Sequence, residues 1–345
     1  MQIKDLKQEF LMTDDRPFDS CHASTLLMLR DGSVLAAYFA GAWEKSPDTA
    51  IWVSRRTGDG WQAPRKAADV RGVAMWNPAL FRLGDGRIRL FFKVGAEIER
   101  WQTWYVDSAD EGETFSEMKE LVPGDVSGGR GPVKNKPIRL RDGAILAPAS
   151  IETDGQWDAF TDRSEDEGAT WIRSGLVPLR RVLLSSGGSM NNQMVHRPYE
   201  PHLIYGKGMI QPTLWEDDGG VHMLCRTTSS RIFRSDSTDG GRTWCLAYDT
   251  GLPNNNSGID LVRLDDGRLV LVCNPRDNLP GFYKGPRTPL SVFVSTDGGR
   301  TFEHALDLET EAGNFAYPAV IADGTRVMIT YTWNRERIRY AEFVI

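Results

Sequence analysis

The feature that most constrains this chain is a turn motif, Ser-x-Asp-x-Gly-x-Thr followed by Trp or Phe, which recurs along the sequence. Four clear copies occur, at Ser108–Phe115, Ser164–Trp171, Ser237–Trp244 and Ser295–Phe302. We expect a degenerate copy at Ser54–Trp61, so that successive copies begin at positions 54, 108, 164, 237 and 295. Regular spacing of this size indicates a fold built from one repeated supersecondary unit.

A second repeat, an Asp-Gly pair between two apolar runs, alternates with the first. Such a pair is a strong signal for a two-residue hairpin turn between antiparallel strands. The six copies are Asp31-Gly32, Asp85-Gly86, Asp142-Gly143, Asp218-Gly219, Asp266-Gly267 and Asp323-Gly324. Each unit is therefore predicted to contain four strands. The Asp-Gly turn joins the first two strands, and the longer motif joins the third to the fourth.

Six such units predict an all-β fold, a six-bladed β-propeller with four-stranded antiparallel blades, as a single domain over residues 1–345. No segment carries a sustained 3.6-residue apolar stripe, so we expect little helix. The last unit lacks the longer turn motif, and segment 3–12 is expected to supply its outer strand and close the ring. A solenoid or several small β domains are the alternatives. The units are long for a solenoid, however, and no Pro/Ser-rich linker separates them.

Composition narrows the functional classes. The 345 residues include 41 Lys and Arg against 47 Asp and Glu, and the net charge of −6 argues against a nucleic-acid-binding protein. The sequence contains no run of 18 apolar residues, so no membrane span is predicted. The N-terminus does not resemble a signal peptide, and a cytoplasmic protein is therefore expected. The four cysteines show no metal-ligand spacing, and neither a metal nor a cofactor is predicted. The oligomeric state is left open.

The repeated turn resembles the Asp-box of the sialidase (neuraminidase) superfamily, and the chain resembles its BNR-repeat, sialidase-like members over nearly its whole length. Four copies are specific for the propeller fold but not for activity. The resemblance implies that these turns lie at the blade periphery, where the Asp caps a turn through its own backbone. No catalytic role is therefore predicted for Asp110, Asp166, Asp239 or Asp297.

Polar residues precede the first strand of each unit or follow the second, and we expect them to converge at one end of the propeller axis. The residues expected there are His22, Asp48, Asn77, Lys93, Lys134, Lys136, Glu152, Gln211, Arg226, Arg287, Tyr317 and Arg335. A cluster of cations in an acidic protein predicts a carboxylate ligand, since Arg recognises carboxylates in a bidentate manner.

The resemblance to sialidases implies roles for part of this set. Asp48 in SPDTAIW stands where the acid/base Asp is expected, and Tyr317 in FAYPAV resembles the nucleophile. Arg226 and Arg287 resemble two of the three arginines that hold the carboxylate. His22 in CHASTL stands in place of the first arginine, and its ordinary pKa near 6.5 suits proton transfer.

One departure from the sialidase pattern is important. Gln211 lies fifteen residues before Arg226, where the resemblance leads us to expect a Glu that accepts the phenolic proton. A glutamine side chain cannot accept that proton, whereas a tyrosine nucleophile needs a base at neutral pH.

The predicted function is therefore a sialidase-like, glycan-cleaving enzyme for an oligosaccharide that contains an acidic sugar. Asp48, His22 and Tyr317 are the predicted catalytic residues, and the other polar residues of the set bind the substrate. Three alternatives remain: lyase-type elimination at a uronate through His or Tyr, a carbohydrate-binding propeller without chemistry, and a protein-interaction scaffold. An insertion at 180–208 is also expected to form a loop over the site.

Overall fold

The computed structural model describes residues 3–182, 200–279 and 282–345. Six antiparallel sheets form the six blades of a β-propeller, which confirms the predicted fold class. The expected loop over the site falls largely on residues 183–199, which lie outside the described residues.

Blades 1 to 3 follow one another along the chain, each from its inner strand outwards. Blade 1 contains β2 (Ser20–Met28), β3 (Val34–Gly41), β4 (Ala50–Thr57), β5 (Gly60–Trp61) and β6 (Arg65–Ala68). Blade 2 contains β7 (Met75–Arg82), β8 (Ile88–Val94), β9 (Gln102–Ser108) and β10 (Lys119–Glu120). Blade 3 contains β11 (Ile138–Arg139), β12 (Ile145–Glu152), β13 (Trp157–Ser164) and β14 (Ile172–Arg173).

Blades 4 to 6 follow the same plan. A short parallel pair, β15 (Arg180–Val182) and β16 (Leu203–Tyr205), precedes blade 4. Blade 4 contains β17 (Met209–Asp217), β18 (Gly220–Thr227), β19 (Arg231–Ser237) and β20 (Tyr248–Pro253). Blade 5 contains β21 (Asp260–Arg263), β22 (Leu269–Cys273), β23 (Leu290–Ser295) and β24 (Glu303–Glu309). Blade 6 contains β25 (Phe315–Asp323), β26 (Arg326–Trp333), β27 (Arg337–Val344) and the N-terminal β1 (Lys4–Phe10).

The ring closes as the sequence predicts, because β1 pairs antiparallel with β27 as the outer strand of blade 6. A 3₁₀-helical turn at Ile98–Arg100 is the only helix in the described part of the chain. Among these residues there is also no helix of the length and apolarity that a membrane crossing requires. Apolar side chains of neighbouring blades pack into the clusters that form the core, with Trp76 and Phe92 between blades 1 and 2 as examples.

Both turn motifs lie at one end of the propeller. All six Asp-Gly pairs join the first two strands of their blades, and the four clear Asp-boxes join the third strand to the fourth. The degenerate copy does not form such a turn. Ser54 lies inside β4, where its hydroxyl is 3.0 Å from that of Tyr38, and a tight turn at Gly58-Asp59 follows instead. The opposite end, which we call the site face, carries the starts of the inner strands and the loops that follow the second strands.

The Asp-box Asp166 illustrates how these turns are held. It accepts hydrogen bonds from the Thr170 hydroxyl at 2.5 Å, the Thr170 N–H at 2.8 Å and the Ser164 hydroxyl at 2.8 Å. The bonds from Thr170 and then Ser164 lower the pKa of Asp166 to about 2. The carboxylate is solvent-exposed, so the turn is a local, peripheral structural element.

Asp166→Ala is expected to lower the free energy of unfolding by about 0.5–1.5 kcal/mol in total at pH 7, because the bonds to this exposed carboxylate compete with water and together contribute about as much as one net hydrogen bond. Since folding lowers this pKa, the contribution is complete above the ordinary value near 3.8 and is lost as the pH falls towards 2. In urea unfolding, the difference in free energy of unfolding between the wild-type protein and Asp166→Ala should be smaller at pH 3 than at pH 7. Glu117→Ala, at an exposed position, is the control, and an equal loss there would contradict the assignment.

Candidate active site

A repeated backbone irregularity shapes the site face. β2, β7, β17 and β25 each contain a register shift near their first residues. In each strand a non-glycine residue in this bulge has a positive φ: Ala23 (52°), Asn77 (42°), Gln211 (54°) and Tyr317 (56°). Bulges re-aim side chains, and strained backbone of this kind persists only where its surroundings hold it. Four blades thus present a residue to the site face by the same device.

Tyr317 lies among cations. Its phenolic oxygen accepts a hydrogen bond from Arg226 Nη1 at 2.9 Å. The guanidinium carbons of Arg226 and Arg287 lie 5.5 and 5.7 Å from the centre of its ring, within the range of cation–π attraction. The ring of His22 lies 4.2 Å from that of Tyr317, centre to centre. The structure therefore brings together Tyr317, Arg226, Arg287 and His22, from blades 6, 4, 5 and 1.

Arg335 belongs to the same cationic group. Arg287 and Arg335 line a cleft of about 340 Å³, which we call the cationic cleft and which Lys284 and Asn314 also line. Burial lowers the pKa of Arg287 to about 10, and repulsion from Arg335 and Arg226 adds to this against the opposing effect of Tyr317. The side chain still carries its charge at neutral pH. Three guanidinium groups from different blades thus converge, although the sequence places a histidine where sialidases have their first arginine.

His22 is held as a neutral imidazole. Its Nδ1 is 2.7 Å from the hydroxyl of Thr332, whereas its Nε2 is buried and has no hydrogen-bond partner among the described residues. Burial lowers the pKa of His22 well below its usual value, and Arg335 and Arg287 contribute further repulsion. A neutral imidazole with a free ring nitrogen can take part in proton transfer at neutral pH.

The three lysines of the predicted set bind to the protein itself. Lys93 donates to the Thr103 hydroxyl and to the carbonyl of Arg130, both at 2.6 Å. Lys136 pairs with Asp260 at 2.8 Å. Each of these ammonium groups therefore already has acceptors within the protein.

Lys134 is bound in the same way. Lys134 donates to Asn135 Oδ1 at 2.8 Å, to the carbonyl of Ile259 at 2.9 Å and to the carbonyl of Pro318. Burial lowers its pKa to about 7. These contacts join blades 3, 5 and 6, so the structure places Lys134 in the wall between the blades. Within the predicted set, the cations left for a ligand are therefore the arginines.

A carboxylate lies beside Gln211. Gln211 Nε2 donates to Glu152 Oε1 at 3.3 Å, and Gln211 Oε1 is buried with no partner in the described part of the chain. Burial raises the pKa of Glu152, an effect that Arg226 opposes. The position where the resemblance leads us to expect a Glu therefore contacts a glutamate from the neighbouring blade.

Asp48 lies on the loop 42–49 that joins β3 to β4 at the site face. It is exposed and accepts hydrogen bonds from the Ala42 N–H at 3.3 and 3.2 Å. A hydrogen bond from the Ser46 side chain lowers its pKa, and the Ala42 N–H adds to this. No hydrogen bond or ion pair between described residues joins Asp48 to His22 or Tyr317. In the free protein Asp48 is therefore a charged carboxylate on a loop of the site face.

Several residues that contact the predicted site residues have no feature in the sequence that marks them as part of a site. Thr332, which holds His22, is one of several alternating residues of a strand. Glu44, whose Oε2 is 2.8 Å from Arg335 Nη1, is an ordinary exposed acid in the sequence. Asn314, which accepts a 3.4 Å hydrogen bond from Arg287, lies in an irregular loop. As for metal ligands, no three His, Cys, Asp or Glu side chains in 3–182, 200–279 and 282–345 are grouped so as to hold an ion.

Comparison with known proteins identifies the family. The family model of the BNR repeat-like domain matches residues 32–329. The chain belongs to the BNR repeat-like family. The resemblance to BNR-repeat proteins that the Asp-boxes led us to expect is thereby confirmed.

Solved structures share the fold of this BNR repeat-like protein. A protein of unknown function from Dyadobacter fermentans is 15% identical with a TM-score of 0.74, and the match covers 99% of both chains. The Hadza microbial sialidase Hz136 is 17% identical (TM-score 0.73; 94% of this chain, 65% of that one). The intramolecular trans-sialidase of Ruminococcus gnavus is 13% identical (TM-score 0.69; 97% of both). Among curated proteins, no sequence matches. At these identities the likeness establishes the propeller alone.

Proposed function

We propose that this BNR repeat-like protein cleaves a glycan at a carboxylate-bearing sugar, which binds over Tyr317. The observation that carries the proposal is the contact between Arg226 and the Tyr317 hydroxyl, next to Arg287 and Arg335. A guanidinium group binds a carboxylate through two parallel hydrogen bonds, and three such groups define where the acidic end of a ligand lies. The core of an interface with a protein partner is instead generally depleted of charged residues and enriched in aromatic ones.

In this proposal Tyr317 reacts and its neighbours move protons. The Tyr317 oxygen attacks the anomeric carbon while its proton passes to Nε2 of His22. The glycosidic C–O bond breaks, and the leaving oxygen takes a proton from Asp48. Water then cleaves the tyrosyl–sugar bond: its hydroxyl goes to the sugar, its proton returns to Asp48, and the phenolate recovers the proton from His22. A sugar lying over Asp48 would exclude water and so raise the pKa of that carboxyl, as the acid step requires.

Elimination at a uronate is the second candidate, and one observation favours it. His22 Nε2 has no hydrogen-bond partner among the described residues, and it lies beside cations that would neutralise the carboxylate. A bound carboxylate would offset the repulsion by which these cations lower the pKa of His22, so that Nε2 could accept a C–H proton. Hydrolysis and elimination differ in mass, because hydrolysis adds one water to the products whereas elimination leaves an unsaturated sugar.

The test is incubation of the protein with defined oligosaccharides that contain sialic acid or glucuronic acid, followed by mass spectrometry. We expect products heavier in total by one water. An unsaturated product would show that the reaction is elimination and not hydrolysis. Calorimetric binding of an acidic oligosaccharide without any product would contradict the enzyme and leave a carbohydrate-binding propeller.

Glu44→Gln is expected to lower KM for an acidic substrate by about two- to fivefold. Glu44 pairs with Arg335 at 2.8 Å, and its removal would free that guanidinium for the substrate carboxylate. An ion pair with partners 41% and 25% exposed contributes about 0.2–1 kcal/mol. KM measured for the variant and for Glu113→Gln, where an exposed Glu pairs with Arg55 outside the site, checks the prediction. A rise in KM for Glu44→Gln would mean that Glu44 contacts the substrate.

A further inference from the structure

A second cleft lies beside the site. It has a volume of about 370 Å³ and is formed by the loops that follow β8 and β12 together with the segment before β17. Its lining includes Glu97, Glu99, Glu152, Asp154, Trp157 and Lys207. We call it the acidic cleft, because four carboxyl groups line it against two lysines, Lys45 and Lys207. Its charge is thus opposite to that of the cationic cleft.

Arg226 connects the acidic cleft to the reacting group. Its guanidinium carbon lies 5.5 Å from the centre of the Tyr317 ring and 5.7 Å from that of Trp157. Trp157 and Tyr317 therefore both lie near the guanidinium group whose Nη1 donates to the Tyr317 hydroxyl. A ligand that extends from Tyr317 past Arg226 would reach Trp157.

The acidic cleft is built on fixed groups. Trp157 is partly buried, and its backbone N–H donates to the carbonyl of Lys207 at 3.0 Å, which ties blade 3 to the start of blade 4. Glu152 is held by Gln211, a 2% exposed side chain whose Oε1 has no partner among the described residues. Gln211 does not itself line the acidic cleft, so its part is to hold the Glu152 carboxyl group in place.

The chemistry of this lining selects one kind of ligand. The C–H face of a sugar ring packs on indole, and sugar hydroxyls donate to carboxylates, which only accept hydrogen bonds. A second carboxylate would meet four acidic side chains and be repelled. We propose that the acidic cleft binds an uncharged sugar next to the carboxylate-bearing one, so that the substrate is an acidic sugar linked to a neutral sugar. This inference rests on the proposed function, because it takes the acidic sugar to lie over Tyr317.

Three ligands test the inference in each of two series, one based on sialic acid and one on glucuronic acid. They are the methyl glycoside of the acidic sugar, its disaccharide with galactose or glucose, and its disaccharide with a second acidic sugar. We expect KM for the acidic–neutral disaccharide to lie at least tenfold below KM for the other two. Equal KM values for the two disaccharides would overturn the inference.

Variants assign the effect to the cleft. Trp157→Ala is expected to raise KM for the acidic–neutral disaccharide about tenfold and to leave KM for the methyl glycoside unchanged. Equal changes for both would mean that the variant acts through Arg226 and would overturn the inference. Glu99→Gln, at an exposed residue of the lining, should reduce the discrimination against the acidic–acidic disaccharide severalfold. Trp104→Ala, on β9 outside the cleft, is the matched control.

A calorimetric arm separates this inference from the proposed function. If the wild-type protein cleaves none of the ligands, the enzyme fails but the cleft is still tested by affinity. We then expect the acidic–neutral disaccharide to bind at least tenfold more tightly than the methyl glycoside, and Trp157→Ala to remove that difference. Equal affinities of the wild-type protein for the two ligands would overturn the inference.

Discussion

Tyr317→Phe is expected to reduce kcat for the cleavage of an acidic oligosaccharide by at least about 10²–10⁴-fold, because the variant loses the oxygen that forms the covalent bond and gives its proton to His22. Phenylalanine keeps the ring that Arg226, Arg287 and His22 surround, but it has no oxygen to attack the sugar or to accept the hydrogen bond from Arg226. The three arginines remain, so the calorimetric affinity for the substrate should change by less than about threefold. Mass-spectrometric rates and calorimetry on the same preparation provide both readouts.

The control is Tyr105→Phe, at a partly buried tyrosine of β9 outside the site, which should leave kcat unchanged. An equal fall in affinity and in kcat for Tyr317→Phe would show that the hydroxyl holds the substrate and does not react. Cleavage at the wild-type rate would remove Tyr317 from the chemistry. The elimination reaction would then be tested with His22→Ala, by measuring how fast this variant forms the unsaturated product.

The fold was predictable from the sequence because its constraints are local. An Asp-Gly pair forms a hairpin turn through its own backbone, and an Asp-box Asp binds residues within four positions of itself, as Asp166 does with Thr170. The repeats therefore reported the number of blades directly. The prediction of a degenerate Asp-box at Ser54 was wrong, because that segment lacks the Asp that accepts these hydrogen bonds. Ser54 therefore lies inside β4.

The site was predictable only in part, because its contacts are long-range. The family spacing indicated Arg226, Arg287 and Tyr317, and the structure brings them together. The spacing could not, however, assign hydrogen-bond partners, because Lys134 binds carbonyl groups 125 and 184 positions away in the sequence. A lysine that precedes an inner strand has the same sequence pattern whether it binds a ligand or a neighbouring blade. Arg335 joined the cluster through the turn between β26 and β27, where Asn334 and Arg335 both have positive φ.

Lys134→Met tests whether a lysine of the predicted set holds the blades together. The substitution keeps the length and the apolar part of the side chain but removes the ammonium group, leaving Asn135 Oδ1 and the carbonyls of Ile259 and Pro318 without their donor. Buried acceptors left unpaired cost about 1–3 kcal/mol each, and some will find water. We therefore expect the free energy of unfolding at pH 7 to fall by about 2–5 kcal/mol in urea titrations.

The pH dependence of this loss separates a buried amine from a surface one. Burial lowers the pKa of Lys134 to about 7 in the folded chain, from an ordinary value near 10.5, so the unfolded chain binds more protons between these values. The contribution of Lys134 to stability is thus complete above about pH 10 and declines as the pH falls towards 7. The loss caused by Lys134→Met should therefore be larger at pH 9 than at pH 7. Lys119→Met, at an exposed lysine of β10, should show neither effect. Unchanged stability of Lys134→Met together with weaker binding of an acidic oligosaccharide would return Lys134 to the substrate-binding residues.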